Sequence, residues 1–395
     1  MFYAPCNLGF EKELCMEIEE CWPLLIGTNG LANQEPLPEM KADHGGVQIE
    51  CAFELGLQLN FFLKIAHRVL FRLAEFRVRD FPKLFEKVQN IPWTKHLGFG
   101  DIEWVVSASK SRLNNEKRIE DTCREALQKS LRGLILPSGP AQKIYVRIFD
   151  DLCTLSLDCS GEHLHKRGWG RHKGEAPLRE TLAAFALKQM MKGHELSELQ
   201  RVTLVDPMCG SGTLVLEAAS LWNPAFRRDY SFLRWKSTPK IFKTTLWKKN
   251  YKLLATQTPF KKYLGFDLDE KVLRAAQENL QEMSTQLEKP FTNIEFKSQN
   301  LFDQGPVVEL PVWCVSNPPY GERLRVQGQA DFSYEDLLAQ IVKKFTPQKV
   351  GLLLPAKSAV KKLQAPKGYK KNSETPFSNG GLDILLLIYT GSPRP

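Results

Sequence analysis

The sequence lacks any C-x-x-C pair, and its 9 cysteines are scattered from Cys6 to Cys314. Such scatter argues against a disulfide framework and against a zinc ribbon. Histidine is scarce. Of 7, only His163 and His165 form a close pair, and a lone H-x-H is more often a strand or loop coincidence than a metal site, so no metal is expected. No apolar run approaches a membrane span; the densest, Ile384 to Tyr389, has the length of a strand. The N-terminal MFYAPCNLGFEKE reaches acidic residues without a long apolar stretch and does not read as a signal peptide. The expected compartment is therefore the cytoplasm, with no membrane partner. Internal repeats and low-complexity tracts are also missing. So is a Gly-Lys-Ser/Thr loop, which argues against a phosphate-cradling nucleotide site.

What is present reads as a globular protein. With 43% hydrophobic and 25% charged residues, disorder, collagen and coiled coil are ruled out for the bulk of the chain. Its 395 residues suggest two or three domains at roughly 150 residues each. Lys+Arg exceeds Asp+Glu by 54 to 45, and the resulting +9 favours a polyanionic partner.

The first half alternates irregularly. Leu8 to Cys21 has helical spacing, and Val47 to Phe53 reads as a short strand. Leu57 to Leu73 is amphipathic, with Lys64, Arg68 and Arg72 four apart on one expected helix face. That face is either solvated or an RNA contact. Helices are expected at Lys83 to Gln89 and Glu116 to Leu131, and strands at Glu103 to Ser107, Ile144 to Ile148 and Leu152 to Leu157. Asp150-Asp151 should turn the last two into a hairpin. This is an α+β module with a basic balance. The glycine-rich string SGEHLHKRGWGRHKG, Ser160 to Gly174, follows. It serves as a linker or, given its cations around Trp169, as an RNA-facing segment.

Beyond it, short strands alternate with helices, the signature of a parallel sheet. Strands are expected at Val202 to Val205, Tyr263 to Phe266, Ile294 to Lys297, Val312 to Val315, Val350 to Leu354 and Ile384 to Tyr389. Helices are expected at Leu178 to Met190, Thr213 to Leu221, Glu270 to Met283 and Tyr334 to Phe345.

Four strings in this half carry chemistry. In VTLVDPMCGSGTLVLEAA an apolar strand ends in Asp206, turns through Gly210-Ser211-Gly212 and enters a helix at Thr213. Glycine permits positive φ and close approach of a ligand, and helix N-termini offer free N–H groups. A carboxylate at Asp206 would repel a pyrophosphate but attract the cationic amino group of S-adenosylmethionine. In YLGFDLDEKVL, Asp267 stands where the ribose of a nucleoside cofactor needs an acceptor, and Asp269 reads as a helix N-cap. In SQNLFD, Asn300 or Asp303 either bonds an adenine amine or is a turn residue. In VWCVSNPPYGERL, a buried-type strand ends in Asn317-Pro318-Pro319-Tyr320. Two prolines fix the backbone so that the Asn317 side chain and a proline carbonyl can accept the two hydrogens of an aromatic amine. That draws the nitrogen toward tetrahedral geometry and frees its lone pair. Tyr320 can stack on an extruded base through its ring, so loss of the hydroxyl alone should matter little.

DPMCGSG followed by SNPPYGERL resembles the Rossmann-fold methyltransferases of exocyclic base amines. The strings LDCSGEHLHKRGW and APLRETLAAF, with FEKELCMEIEE and NGGLDI, narrow the resemblance to the bacterial 23S ribosomal RNA guanine-N2 methyltransferase family, a THUMP domain plus a methyltransferase with an NPPY motif. The resemblance covers nearly the whole chain. It implies an α/β fold: a C-terminal Rossmann-like S-adenosylmethionine-dependent methyltransferase preceded by an α+β THUMP-containing RNA-binding region. The implied domains are a ferredoxin-like-type segment at 1–50 packing with THUMP, THUMP at 51–160, a linker at 161–176 and the methyltransferase at 177–395. It implies cofactor contacts at Asp206, Pro207, Gly210, Gly212, Asp267 and Asn300, with Pro177 and Thr181 near the methionine end. Asn317, Pro318, Pro319 and Tyr320 would be the catalytic motif. The partner would be large-subunit ribosomal RNA or its assembly intermediate. A tRNA guanine, an adenine N6 amine or a non-enzymatic RNA-binding role are the alternatives.

Two departures stand out. The family usually has Asp where this chain has Asn300. Some members carry a second methyltransferase domain, whose activity is expected to be absent from a sequence ending at Pro395. One feature is additional: between Asp206 and Asp267 lies a basic stretch interleaved with aromatics such as Tyr230, Phe232, Trp235, Phe242 and Trp247. It either contacts RNA or packs as an extra element.

Overall fold

A computed structural model describes residues 1–25, 35–98, 101–133, 136–172, 178–245, 247–249, 258–303, 308–309, 311–320, 333–357, 360, 363–379 and 381–391. Pro177 lies outside the described residues. The chain separates into two units. One comprises Met1–Cys6, Glu11–Leu164 and Arg228–Tyr251; the other comprises Asn7–Phe10, His165–Arg227 and Lys252–Pro395. Among the described residues no helix is long and apolar enough to cross a membrane.

The first unit is built on a seven-stranded sheet. Its strands are β1 (Phe2–Pro5), β2 (Glu39–Asp43), β3 (Gly46–Glu50), β4 (Leu70–Arg77), β5 (Ile102–Ser109), β6 (Gln142–Phe149) and β7 (Leu152–Asp158). Their order is β2-β3-β1-β4-β7-β6-β5. Strands β5 and β6 pair in parallel, because helix α5 (Glu116–Leu131) crosses between them. The helices before it are α1 (Glu11–Cys21), α2 (Phe53–Phe62), α3 (Phe81–Gln89) and the short α4 (Trp93–His96). Asp150 and Asp151, at φ 50° and 58°, make the tight β6–β7 turn that the sequence signalled. Residues on β6 alternate between buried and partly or fully exposed, so one face of the sheet is core and the other is open.

Two expectations fail here. The helix expected over Leu57 to Leu73 stops at Phe62, because Leu63 turns extended and Leu70 to Arg77 pairs with β1 and β7. Lys64 and Arg68 are therefore not on an exposed helix face; both are buried, and Arg68 binds the buried Asp158 at 2.5 Å. The rings of the basic stretch 228–249 also do not face a strand of RNA, although Lys236, Lys240, Lys243 and Lys249 are exposed. Tyr230, Phe232, Trp235, Phe242 and Trp247 are buried within the first unit, with Phe61 stacked on Trp247 and edge-on to Tyr230. Rings with so little exposed surface are not free to stack bases. The alternative of packing is what the structure adopts.

The second unit is a doubly wound sheet. Its strands are β8 (Thr203–Asp206), β9 (Lys262–Asp267), β10 (Ile294–Ser298), β11 (Val312–Ser316), β12 (Lys349–Pro355), β13 (Tyr369–Asn379) and β14 (Leu382–Gly391). The order is β10-β9-β8-β11-β12-β14-β13, parallel as far as β12 and antiparallel beyond it. The helices are α6 (Glu180–Met191), α7 (Leu196–Leu199), α8 (Thr213–Ser220), α9 (Glu270–Leu287) and α10 (Tyr334–Phe345). Strands β11 and β12 are buried throughout, as helices on both faces require. After β8 the chain winds outward through β9 and β10, then resumes on the other side of β8 with β11. The strand order reverses between β8 and β11, and the carboxyl ends of these two strands mark the switch point where open α/β sheets bind ligands.

Candidate functional site

Asp206 ends β8 at that switch point and is 1% exposed. Its Oδ1 accepts the Met208 N–H at 3.1 Å and the Ser316 hydroxyl at 3.0 Å. Ser316 ends β11, so one carboxylate ties the two strand ends together. Burial, outweighing those two hydrogen bonds, pushes the Asp206 carboxyl up to about 7, and the nearby Asp267 adds to the rise.

The turn after Asp206 depends on its glycines. Gly210 has φ +53° and Gly212 φ +84°, backbone that other residues adopt only with strain. A Cβ on Gly212 would stand 2.8 Å from Phe296 Cζ, so the turn can lie this close to β10 only without a side chain. A Cβ on Gly210 would meet nothing within 4 Å, which leaves room for a ligand against the backbone. Pro207 is buried where the turn begins. Gly210 N–H donates to Asp267 Oδ2 at 2.8 Å, and Asp269 N–H donates to Asp267 Oδ1 at 3.1 Å. Each Asp267 oxygen keeps a lone pair for a further donor. Asp269 caps α9, as its position in the sequence suggested.

Asn317-Pro318-Pro319-Tyr320 continues β11 beyond Ser316. Pro318 is buried and the other three are partly exposed. The Tyr320 hydroxyl donates to Asn317 Oδ1 and lies 3.4 Å from the Leu353 carbonyl. Burial raises the Tyr320 pKa, so the hydroxyl stays protonated and able to donate. The reading of Tyr320 as a ring alone omits this bond.

Asn300 behaves first as a turn residue: its Oδ1 accepts the Phe302 N–H at 2.9 Å. Thr181, in the first turn of α6, is 2% exposed, and its hydroxyl meets no partner among the described residues. The structure thus brings Asp206, Pro207, Gly210, Gly212 and Asp267 into one turn network, joined through Ser316 to the Asn317 motif.

Several participants escape sequence reasoning. Ser316 stands directly before the Asn-Pro-Pro-Tyr string, and that adjacency was its only signal. Asn279 of α9, 1% exposed, donates to the Ser211 carbonyl at 3.1 Å and to the His172 carbonyl at 2.9 Å. Arg167 and Trp169, in the segment that reads as a linker or an RNA-facing stretch, are both buried. Arg167 forms a two-pronged bond to Glu217 of α8, with contacts of 2.8 and 3.4 Å. Leu268, next to Asp267, is 44% exposed, an apolar surface beside the ribose candidate.

The family model for the UPF0020, RMKL-like methyltransferase domain matches residues 167–385. The chain belongs to this family. The ribosomal RNA large subunit methyltransferase K/L of Psychromonas ingrahamii is 30% identical over 410 residues, covering 100% of this chain and 50% of that protein. The protein of the same name from Colwellia psychrerythraea is 29% identical over 365 residues, covering 87% and 48%. The chain spans about half the length of these curated relatives. Among solved structures, that of a possible methylase from Clostridium difficile 630 matches with a TM-score of 0.79 at 27% identity, over 100% of this chain and 98% of that one. SMU.472 complexed with SAH has the same TM-score and coverage at 24% identity, which shows a shared Rossmann-like methylase fold.

Proposed function

We propose that this chain is an S-adenosylmethionine-dependent methyltransferase that modifies the exocyclic N2 amine of a guanine in large-subunit ribosomal RNA. The observation that carries the reading is the Asp206–Ser316 bond, which sets a cofactor-type turn and an Asn-Pro-Pro-Tyr motif side by side at the switch point. Family membership and the names of the relatives support it.

The residues fit the cofactor. Asp206 offers a buried carboxylate for a cationic amino group, Gly210 leaves open space, and Asp267 has lone pairs for ribose hydroxyls. Thr181 brings an unmatched buried hydroxyl, assigned with Pro177 to the methionine end. Asn300 or Asp303 would meet the adenine. When bound, S-adenosylmethionine supplies an electrophilic methyl group on a sulfonium. The chain's own residues prepare the acceptor. Asn317 Oδ1 and the Pro318 carbonyl accept the two amine hydrogens, Pro319 holds the backbone of the motif, and the Tyr320 ring stacks the extruded base. Alignment then outweighs proton removal, because an alkylated amine loses its proton readily.

The first unit would supply RNA binding as the THUMP-containing region, and the chain would work in the cytoplasm on ribosomal RNA or a particle under assembly. The test is single-turnover transfer of labelled methyl to ribosomal RNA, followed by nucleoside mass spectrometry. N2-methylguanine is expected. N6-methyladenine would move the assignment to an adenine methyltransferase, modification of transfer RNA alone would change the substrate, and no transfer to any RNA would leave only a binding role.

A further inference from the structure

We propose that the open face of the first unit's sheet is a platform for single-stranded RNA, with Phe149 as its stacking surface and Arg147 and Lys110 as its phosphate contacts. This rests on the reading of the protein as an RNA-modifying enzyme and says where the strand is held away from the target base.

Strand β6 presents Tyr145, Arg147 and Phe149 on one face, while Ile144, Val146 and Ile148 are fully buried on the other. Same-face neighbours on a strand are about 7 Å apart, which sets Arg147 between Phe149 and Tyr145, whose ring is already covered by the Arg68 guanidinium 5.1 Å from its centroid. Cross-strand pairing extends the face. Tyr145 lies opposite Val105 and Ser156, Arg147 opposite Ser107 and Thr154, and Phe149 opposite Ser109 and Leu152. The side chains flanking Arg147 and Phe149 are short or mid-sized, which leaves that ring and the guanidinium exposed, whereas Ser156 beside Tyr145 is buried.

Phe149 is 41% exposed, one of few large apolar side chains so open among the described residues. Two cations border it: Lys110 Nζ lies 5.4 Å and the Arg147 guanidinium 5.6 Å from the ring centroid. Neither has a carboxylate partner among the described residues. Arg77, exposed on the same face of β4, donates to the Asp150 carbonyl at 3.4 Å and forms no ion pair among the described residues, whereas Lys143 pairs with Glu103 at 2.9 Å and Arg72 with Glu75 at 3.1 Å. Around Phe149 the unmatched charge is net positive; acids of this face without an ion pair among the described residues, such as Glu39 and Glu50, lie at its far edge on β2 and β3. Unmatched cations beside an open aromatic suit a polyanion with stackable bases.

The experiment uses the full chain and a fluorescein-labelled 12-nucleotide oligouridine, with anisotropy titrations at several salt concentrations. Phe149→Ala should weaken binding about 5- to 150-fold, the range that loss of one stacked base produces. Phe149→Tyr should restore it. Arg147→Gln combined with Lys110→Gln should flatten the plot of log affinity against log salt by roughly one to two units, one for each phosphate no longer neutralised. Lys129→Gln, on helix α5, is the control and should change little. Affinity for S-adenosylhomocysteine should be unaltered in all of them, and methyl transfer should be impaired in KM rather than in kcat. Unchanged RNA affinity and slope in the Phe149 and paired-cation variants would overturn the platform, as would a loss of self-association in place of a loss of RNA binding. If the wild-type chain binds the oligonucleotide through this face yet methylates no RNA, the platform stands and the proposed activity fails.

Discussion

Replacing Asp206 with asparagine should make the ligand-free protein more stable at neutral pH while impairing the site. The side chain is 1% exposed, and burial pushes its carboxyl up to about 7. In the unfolded chain an aspartate ionises near 3.9. Between those values the folded state holds a proton that the unfolded state has released, so stability falls as pH rises, by about 1.4 kcal/mol per unit. From pH 5 to pH 7 the loss is about 2.3 kcal/mol, and above about 8 it levels off. Asp206→Asn is nearly isosteric and keeps an oxygen to accept from Met208 N–H and the Ser316 hydroxyl, but it has no proton to lose. The variant's stability relative to wild type should therefore climb by about 2–3 kcal/mol between pH 5 and 8 and then stay constant. Urea titrations at half-unit pH intervals measure this, and groups common to both proteins cancel in the difference. The same variant should bind S-adenosylhomocysteine more weakly by about 1.5–3 kcal/mol, roughly 10- to 150-fold, through loss of a charged hydrogen bond. Wild-type affinity should rise with pH toward 7 while that of the variant stays flat. A stability difference that does not vary between pH 5 and 8.5 would refute the buried-carboxyl reasoning. Undiminished cofactor affinity would remove Asp206 from the site.

Other outcomes follow from the same geometry. Asn317→Ala should cut the single-turnover rate by orders of magnitude with S-adenosylhomocysteine affinity nearly intact by calorimetry; full activity would refute the mechanism. Tyr320→Phe keeps the ring but frees Asn317 Oδ1 from its hydroxyl partner, a bond worth about 0.5–1.5 kcal/mol, so single-turnover transfer should slow roughly 2- to 13-fold rather than remain unchanged. Gly212→Ala forces a side chain into φ +84° and against Phe296, and should lower unfolding stability by about 1–3 kcal/mol in urea titrations. Arg167→Met strands Glu217 in the interior and should cost about 3–5 kcal/mol, whereas adding Glu217→Leu should recover most of it; an exposed RNA contact would show neither effect.

The local pattern of the chain was enough for much of this protein. Helices α5 and α10 begin and end where their periodicity and capping residues place them, because Asn115 and Ser333 each bond an N–H of the first turn. The Gly210–Gly212 turn, Asp267 and the motif at Asn317 were visible because each needs residue types with few substitutes at that spacing. Tertiary structure decided what local pattern leaves degenerate. Leu70 to Arg77 fits a helix as well as a strand until β1 and β7 offer it hydrogen bonds. The cations Arg68 and Arg167 read as surface charge, since nothing nearby in sequence announces Asp158, 90 residues away, or Glu217, 50 residues away. The rings of 228–249 look alike whether they face RNA or core, and only the first unit's Phe61 and its neighbours distinguish the two. Spacing along the chain fixes which groups share a face; which face meets water depends on partners far away in the sequence, and that is known only once the sheets have formed.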